Sequence, residues 1–154
     1  MPQSLSQIYV HLVFSTKYRV PMIKKEDYVQ IHNYLGGILN NLGCDVIRVG
    51  GVQNHVHILF RLSRKIAIAD VVKNVKASSS HFIKSLGDHY RNFAWQEGYG
   101  AFSIGKSHLD RAIRYVSNQE QHHKARIYQE EFLEFLKLYD VEYDNSGKII
   151  RYIP

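Results

Sequence analysis

Two histidines set one residue apart are the first feature of this chain that could carry chemistry. His55 and His57 flank Val56 at the start of a long apolar run, which follows Gly50-Gly51. The run predicts a buried strand that is entered from a turn at the two glycines. Because residues two apart on a strand project from the same face, both imidazoles can bind one cation while Val56 packs on the other face. Two histidine ligands leave most of a metal's coordination positions open, which favours catalysis over a closed structural site.

Tyr115 and Gln119 could complete such a site. They are four residues apart on a predicted third helix, so they are neighbours on its surface. Both lie to one side of the apolar stripe, at the helix edge, where they could face a metal held by His55 and His57. The amide oxygen of glutamine suits hard cations such as Mg²⁺ and Mn²⁺. The apolar stripe itself consists of Leu109, Ala112, Ile113 and Val116.

These residue types favour nucleophilic phosphoryl transfer. A tyrosine hydroxyl has a pKa near 10 and needs assistance to attack at neutral pH. A metal ion can polarise a non-bridging phosphate oxygen and stabilise the charge that develops there. Attack would give a phosphotyrosyl enzyme that retains the energy of the phosphodiester, so ATP is not required. The chain accordingly lacks a GxxxxGK[ST] phosphate-binding loop.

Length and composition indicate one cytoplasmic domain over residues 1–154. The chain has 154 residues, of which 45% are hydrophobic and 22% charged, as in ordinary globular proteins. No apolar run approaches the roughly 20 residues that a membrane helix needs. The first residues lack the pattern of a signal peptide. A lone Cys44 excludes an internal disulfide and a cysteine-based zinc site.

The charge is basic, with 20 Lys and Arg against 14 Asp and Glu. A net charge of +6 favours a polyanionic partner such as nucleic acid, although many small proteins are simply basic. By helical spacing, three lysines and Ser80 share one side of the second helix, where a solvated polar face is the default interpretation. Contact with DNA phosphates is the alternative for these lysines and for two basic residues after the first strand. The candidate nucleic-acid-binding residues are Lys17, Arg19, Lys73, Lys76 and Lys84.

The order of predicted elements is β-α-β-β-α-β, followed by further helices. This is the ferredoxin-like α+β arrangement, an antiparallel sheet with helices on one face, here with a tyrosine-bearing helix and a C-terminal helix added. The first and third strands usually lie side by side at its centre, so His11 could sit beside the histidine pair. Gly43 is expected to end the first helix, and Gly36-Gly37 to allow close backbone packing. A capping box at Ser107–Asp110 should open the third helix. The predicted strands cover residues 8–15, 44–49, 52–61 and 101–104, the helices 25–42, 68–86 and 125–138, and an extended tail 141–154.

Four blocks in order give the chain a specific resemblance. They are residues 9–19, His55-Val56-His57, residues 95–103, and residues 115–119 with His122-His123 after them. The chain resembles the HUH-type single-tyrosine transposases of small bacterial insertion sequences and the related REP-associated tyrosine transposases. One His-x-His motif is weak evidence, whereas the four blocks together are specific.

The resemblance implies cleavage and rejoining of single-stranded DNA through a 5′-phosphotyrosine intermediate and a free 3′-OH. It implies that Tyr115 is the nucleophile and that His55, His57 and Gln119 bind Mg²⁺ or Mn²⁺. It also implies recognition of DNA hairpins at element ends, usually by a homodimer. In many members the tyrosine helix packs against the partner's histidine pair, and Gly105 is the candidate hinge for such an exchange.

Other interpretations stay open at this point. Taken alone, His55 and His57 are more often surface or hydrogen-bonded histidines, and most of the 11 tyrosines must serve packing. His11 is either a third imidazole of the site or, as we favour, a satisfied residue of the sheet. Trp95, Tyr99 and Phe102 could stack on bases, although core packing is favoured for the first and last. A domesticated endonuclease acting on chromosomal repeats uses the same chemistry, and a non-catalytic nucleic-acid-binding module or a structural metal protein would not.

Overall fold

A computed structural model of the chain describes residues 3–120, positions 130, 133 and 137, and the strand segments 142–143 and 149–151. The chain forms two compact units, Met1–Asn118 and Gln119–Pro154. The prediction of one functional domain over residues 1–154 stays a prediction. Within the described ranges, no helix is long and apolar enough to span a bilayer.

The first unit is built on a four-stranded antiparallel sheet with the order β2-β3-β1-β4. Strand β1 pairs with β3 on one side and with β4 on the other, and Ser15 of β1 lies opposite His55 of β3. The predicted ferredoxin-like α+β fold, with its first and third strands at the centre, is therefore confirmed. The strands are β1 (Tyr9–Ser15), β2 (Asp45–Val52), β3 (His55–Arg61) and β4 (Gly100–Ile104).

The alternation of side chains along β1 and β3 divides the sheet into two faces. Val56, Ile58 and Phe60 belong to the main hydrophobic core, together with the even-numbered residues of β1. The helices α1 (Tyr28–Asn41) and α2 (Ile68–Lys84) cover this face. Leu59 faces the opposite way and packs in a smaller cluster with the helix α3 (Leu109–Ser117). Since His55 and His57 share the parity of Leu59, they lie on the α3 face, as the strand period predicted.

The first helix begins and ends close to its predicted bounds. A short 3-10 turn at Lys25–Asp27 precedes α1, and Gly43 with φ 79° follows it. A left-handed residue directly after a helix is the position that glycine fills most easily, so the predicted C′ glycine is confirmed. A Cβ added at Gly36 would lie 3.5 Å from Cγ1 of Val46, and one at Gly37 would meet no atom within 4 Å. Only Gly36 faces β2, and a Cβ there would make an ordinary van der Waals contact with a side chain.

The predicted turn at Gly50-Gly51 is wrong, although the hairpin is confirmed. Both glycines lie inside β2, which continues to Val52, and the turn falls at Gln53-Asn54. A Cβ added at Gly50 would lie 2.1 Å from the carbonyl oxygen of Val116 in α3. Glycine is required here because a helix backbone packs directly on the strand, rather than because the chain reverses.

The third helix is shorter than predicted and has no capping box. Its N-cap is His108, and no side-chain hydrogen bond caps it in the described structure, since Ser107 Oγ lies 3.2 Å from Nδ1 of His108 instead. Asn118 leaves helical geometry, and the helical state resumes at Gln119. Tyr115 and Gln119 are therefore separated by a break that the regular spacing did not indicate.

Several predictions concern residues that the structure largely does not describe. His122-His123 lie outside the described residues, as does most of the predicted helix 125–138. In the tail, β5 (Glu142–Tyr143) and β6 (Ile149–Arg151) pair antiparallel in a sheet of their own within the second unit.

Candidate active site

The histidine pair occupies the first and third positions of β3, a strand that lies between β1 and β2 in the sheet. Both imidazoles are buried, and their ring centroids are 5.1 Å apart. A buried strand in the middle of a sheet fixes the backbone beneath them, so their directions are set by the fold. This is the arrangement that a two-histidine cation site needs.

Each imidazole is oriented by a hydrogen bond to one of its two nitrogens. Nδ1 of His55 lies 2.8 Å from Oδ1 of Asn54, and Nδ1 of His57 lies 2.9 Å from Nε2 of His11. Because Asn54 presents a carbonyl oxygen, His55 donates its Nδ1–H in that pair. Partners of this kind fix the tautomer and the ring direction of metal-binding histidines and direct Nε2 towards the metal.

His11 is hydrogen-bonded to Nδ1 of His57 through its own Nε2. Burial lowers the pKa of His11 from 6.5 to about 3, so its ring is neutral at physiological pH. A neutral His11 can accept a hydrogen bond at Nε2 from the Nδ1–H of His57. Since this nitrogen is used in that contact, the geometry favours the interpretation of His11 as a satisfied residue of the sheet over that of a third ligand.

The ring of Tyr115 lies beside the rings of His57 and His11. Its ring centroid is 5.5 Å from that of His57, with the planes at 84°, and 6.0 Å from that of His11. The side chain is half-buried at the border of the small cluster formed by Leu59, Ile104 and Val116. The apolar side of α3 packs on the sheet, and this packing brings the phenol beside His57 and His11 of the same chain. The sequence spacing had placed Tyr115 at this helix edge.

Gln119 is the first residue of the second unit, and its side chain is buried. A buried carboxamide needs hydrogen-bonding or ligand partners for both its oxygen and its nitrogen. In the described part of the chain, no three His, Cys, Asp or Glu side chains form a group that could hold a metal ion. A cation held by the two histidines would therefore need a third ligand of another type, and the role of Gln119 stays a prediction.

Lys76 has a role within the fold that its helical position did not reveal. Its ammonium group donates hydrogen bonds to the carbonyl oxygens of Gln96, Glu97 and Gly98, at 2.7, 3.2 and 2.8 Å. Burial lowers the pKa of Lys76. An ammonium has three hydrogens, so this set of contacts engages all of them, and the geometry favours a structural role over phosphate contact.

The other candidate cations are exposed. Lys73 and Lys84 lie on the outer side of α2, and Lys17 and Arg19 lie in a turn directly after β1. Their accessibility is compatible with both interpretations, a solvated surface and a phosphate-binding one. Their assignment to nucleic-acid binding therefore stays a prediction.

The aromatic residues of block 95–103 divide as expected where the structure describes contacts. Trp95 is buried between Phe14 and Phe93, each at a centroid distance of 4.8 Å, and its Nε1–H donates to Oγ of Ser79 at 2.9 Å. Phe102 is half-buried, and Tyr99 is exposed. Core packing is thus confirmed for Trp95.

Asn54 is the site residue that the sequence reasoning missed. Its Oδ1 orients His55, and its Nδ2 lies 3.5 Å from the carbonyl oxygen of Arg19. The available signal was a short polar residue directly before the histidine strand, the position where a turn must supply hydrogen bonds. The glycine pair at positions 50 and 51 is the stronger local turn signal, and it masks this one.

Comparison with known proteins agrees with this fold. Two solved structures share the fold. One is a provisionally assigned transposase from Deinococcus radiodurans R1, with a TM-score of 0.60 and 21% identity, covering 77% of this chain and 98% of the other. The second is a REP-associated tyrosine transposase bound to a REP hairpin, with a TM-score of 0.60 and 11% identity, covering 99% of this chain and 98% of the other.

The sequence has no significant match among curated proteins. The family model described as "Transposase IS200 like" matches residues 4–119. This segment includes β1 to β4, the histidine pair, Tyr115 and Gln119. The match covers well over half of the chain, and the chain therefore belongs to the IS200-like transposase family.

Proposed function

We propose that this protein is a metal-dependent transposase that cuts and rejoins single-stranded DNA at hairpin-bearing ends, with Tyr115 as nucleophile. The observation that carries the proposal is the position of the Tyr115 ring, 5.5 Å from His57 on the histidine-bearing face of the sheet. Family membership supports the reaction class.

The residues present fit a hard divalent cation. His55 and His57 would hold it through Nε2, since Nδ1 of each lies in a hydrogen bond. Gln119 is the proposed third ligand, through its amide oxygen, and Mg²⁺ or Mn²⁺ is the expected cation. When bound, the cation polarises a non-bridging phosphate oxygen and stabilises the charge developing on the phosphoryl group.

The covalent step is an exchange of one ester for another. The Tyr115 oxygen attacks phosphorus, its bond to phosphorus forms, and the bond from phosphorus to the 3′ oxygen breaks. The phenolic proton balances the departing 3′ oxygen, which leaves as a 3′-OH. Attack by a second 3′-OH reverses the sequence and releases Tyr115, so no nucleotide cofactor is consumed.

The expected partner is single-stranded DNA that carries hairpins. The related transposase bound to a REP hairpin supports this, as does the net charge of +6. Lys17, Arg19, Lys73 and Lys84 are the proposed phosphate contacts, and Lys76 is left out because it caps carbonyls of its own chain. Assembly as a homodimer is expected from the family resemblance.

A domesticated endonuclease that processes repeat hairpins is the second candidate. The likeness to the REP-associated enzyme over 99% of this chain favours it. Hairpins that flank the gene itself would favour the mobile-element enzyme, and dispersed repeats elsewhere in the genome would favour the domesticated one. A non-catalytic sheet-face module is disfavoured, because α3 packs on the sheet face where such modules display aromatic residues.

The proposal is tested by trapping the covalent intermediate. The protein is mixed with Mn²⁺ or Mg²⁺ and labelled single strands carrying the gene's flanking hairpins, and products are separated on a denaturing protein gel. We expect an adduct that requires metal and vanishes in Tyr115→Phe and His57→Ala. Tyr99→Phe is the matched control, since it removes the hydroxyl of an exposed tyrosine outside the site.

Each alternative has its own outcome. Tight hairpin binding without any adduct would indicate a binding module and contradict the proposal. An adduct that persists in Tyr115→Phe would show that another nucleophile acts. Adduct formation in EDTA would contradict the metal site while leaving the nucleophile in place.

A further inference from the structure

The turn directly after β1 holds two successive residues in a conformation that side chains disfavour. Tyr18 has φ 57° and Arg19 has φ 58°. A left-handed backbone brings Cβ close to the following carbonyl, so residues other than glycine rarely adopt it, and seldom twice in succession. Such strain persists only where surrounding contacts fix it, and it is concentrated at functional sites.

Contacts on both sides of the turn fix this conformation. The backbone N–H groups of Thr16 and Lys17 donate to the carbonyl oxygens of Asn54 and Ala94, each at 2.8 Å. The hydroxyl of the buried Thr16 donates to the carbonyl oxygen of Val20 at 2.7 Å. The start of the turn is thus hydrogen-bonded to the hairpin β2-β3 and to the loop before β4, and its tip is exposed to solvent.

The tip presents an aromatic ring to solvent, with one cation beside the ring. Tyr18 is 86% exposed, the second-largest exposure of any large hydrophobic side chain in the described structure. Nζ of Lys17 lies 5.5 Å from its ring centroid, a distance suited to a cation–π contact. Core packing cannot account for a ring in this position. A flat ring beside basic residues is the surface on which unpaired nucleotide bases stack.

The turn is also connected to the histidine site. The side chain of Asn54 approaches the carbonyl oxygen of Arg19 with Nδ2, at 3.5 Å, and orients the His55 ring with Oδ1, at 2.8 Å. One carboxamide therefore separates the strained turn from the proposed metal ligand. A nucleotide held at this turn would therefore be a near neighbour of the proposed site, with Asn54 in contact with both.

We infer that Tyr18 is a stacking platform for an unpaired base of single-stranded DNA next to the cleaved phosphodiester. Lys17 and Arg19 contact the phosphates on either side of that base. The strained backbone holds the ring outward before DNA binds, which reduces the ordering needed on binding. This inference rests on the proposed function, since it places the base relative to the site of cleavage.

The test measures binding without chemistry. Full-length protein carrying Tyr115→Phe is titrated in EDTA with the flanking-hairpin strand, in which 2-aminopurine replaces each unpaired base in turn. Stacking on Tyr18 should quench one position, and Tyr18→Ala should abolish that quenching and weaken binding about tenfold. Tyr18→Phe keeps the ring and should bind within about twofold of the parent. Unchanged quenching and affinity in Tyr18→Ala would overturn the inference.

Two further variants separate stacking from structural effects. Tyr18→Gly accepts the left-handed backbone without a Cβ, so it should raise the melting temperature while binding as weakly as Tyr18→Ala. Equal or tighter DNA binding by Tyr18→Gly than by the parent would contradict the platform. Tyr34→Ala is the control: it removes a tyrosine of α1 that stacks on Phe82 at a centroid distance of 4.0 Å, and base quenching should be unchanged.

The two proposals fail independently. If the protein never forms an adduct but Tyr18→Ala abolishes quenching, the platform stands and the cleavage chemistry does not. If metal-dependent adducts form and Tyr18→Ala binds and quenches normally, only the platform is refuted.

Discussion

Replacement of Gly50 by alanine should displace Tyr115, the proposed nucleophile, although the two residues lie on different elements. A Cβ at position 50 would lie 2.1 Å from the carbonyl oxygen of Val116 and 3.0 Å from Cγ1 of the same residue. The oxygen belongs to the α3 backbone, so a rotamer change cannot relieve the contact. The helix must retreat from β2 or the strand must bend.

The size of the displacement follows from that distance. Contacts of a Cβ below 3.0 Å are essentially never seen, so the two backbones must separate by about 1 Å. Tyr115 precedes Val116 in the same helix and would move with it. A misplacement of about 1 Å can lower a rate about 100-fold. Overpacking of this kind also destabilises a fold by about 1–3 kcal/mol.

The assay is the single-turnover rate of adduct formation, measured at a temperature where circular dichroism shows the variant folded. Urea denaturation of the same preparation gives its loss of stability. Gly37→Ala is the matched control, because a Cβ there meets nothing within 4 Å. In the interior of α1 that change should raise stability by up to about 1 kcal/mol and leave the rate unchanged. A Gly50→Ala protein with parental rate and stability would refute the packing of α3 on β2 described here.

Three further predictions concern single side chains. The pKa of His11 is about 3 in the folded chain, and its ordinary value is 6.5. As pH falls, His11 is therefore protonated in the unfolded chain before it is protonated in the folded one. Folding stability should fall as pH drops from 6.5 towards 3, by at most about 1.4 kcal/mol per pH unit from this group. Urea titrations at several pH values should show a weaker pH dependence of stability in His11→Gln. An unchanged pH dependence in that variant would contradict the assignment to His11. Lys76→Met should lower the free energy of unfolding by about 1–3 kcal/mol, because three carbonyl oxygens lose their donor. The salt dependence of DNA binding by this variant should match that of the parent protein. Lys84→Ala should reduce the slope of log K against log[salt] by about one unit, and an unchanged slope would return Lys84 to the solvated surface.

Local periodicity predicted the elements because each is amphipathic over its own length. The strand period placed His55 and His57 on one face, and the helix period placed Tyr115 at the edge that meets them. Both predictions needed only neighbouring residues. The fold class followed from the order of those elements, since few topologies accommodate β-α-β-β-α-β.

The errors concern contacts between distant parts of the chain. Gly50 looked like a turn residue, because the helix oxygen that requires glycine there is 66 positions away in the sequence. His11 could be assigned only once its partner, 46 residues on, was seen at 2.9 Å. Lys76 shared a helix side with exposed lysines, but the loop that it caps approaches from outside α2. Local sequence patterns carry no information on such approaches.

The packing of α3 on its own sheet has a consequence for reaction order. If Tyr115 attacks at the histidine pair of its own chain, as this packing suggests, the rate of adduct formation per protein molecule should not depend on protein concentration, even on dilution below the point where a dimer separates. In that case a mixture of Tyr115→Phe and His57→Ala chains should stay inactive at any ratio, because neither chain carries both the tyrosine and the complete histidine pair. If the helices instead exchange between chains, one site of each mixed dimer would regain both groups, and activity would return with second-order dependence on protein.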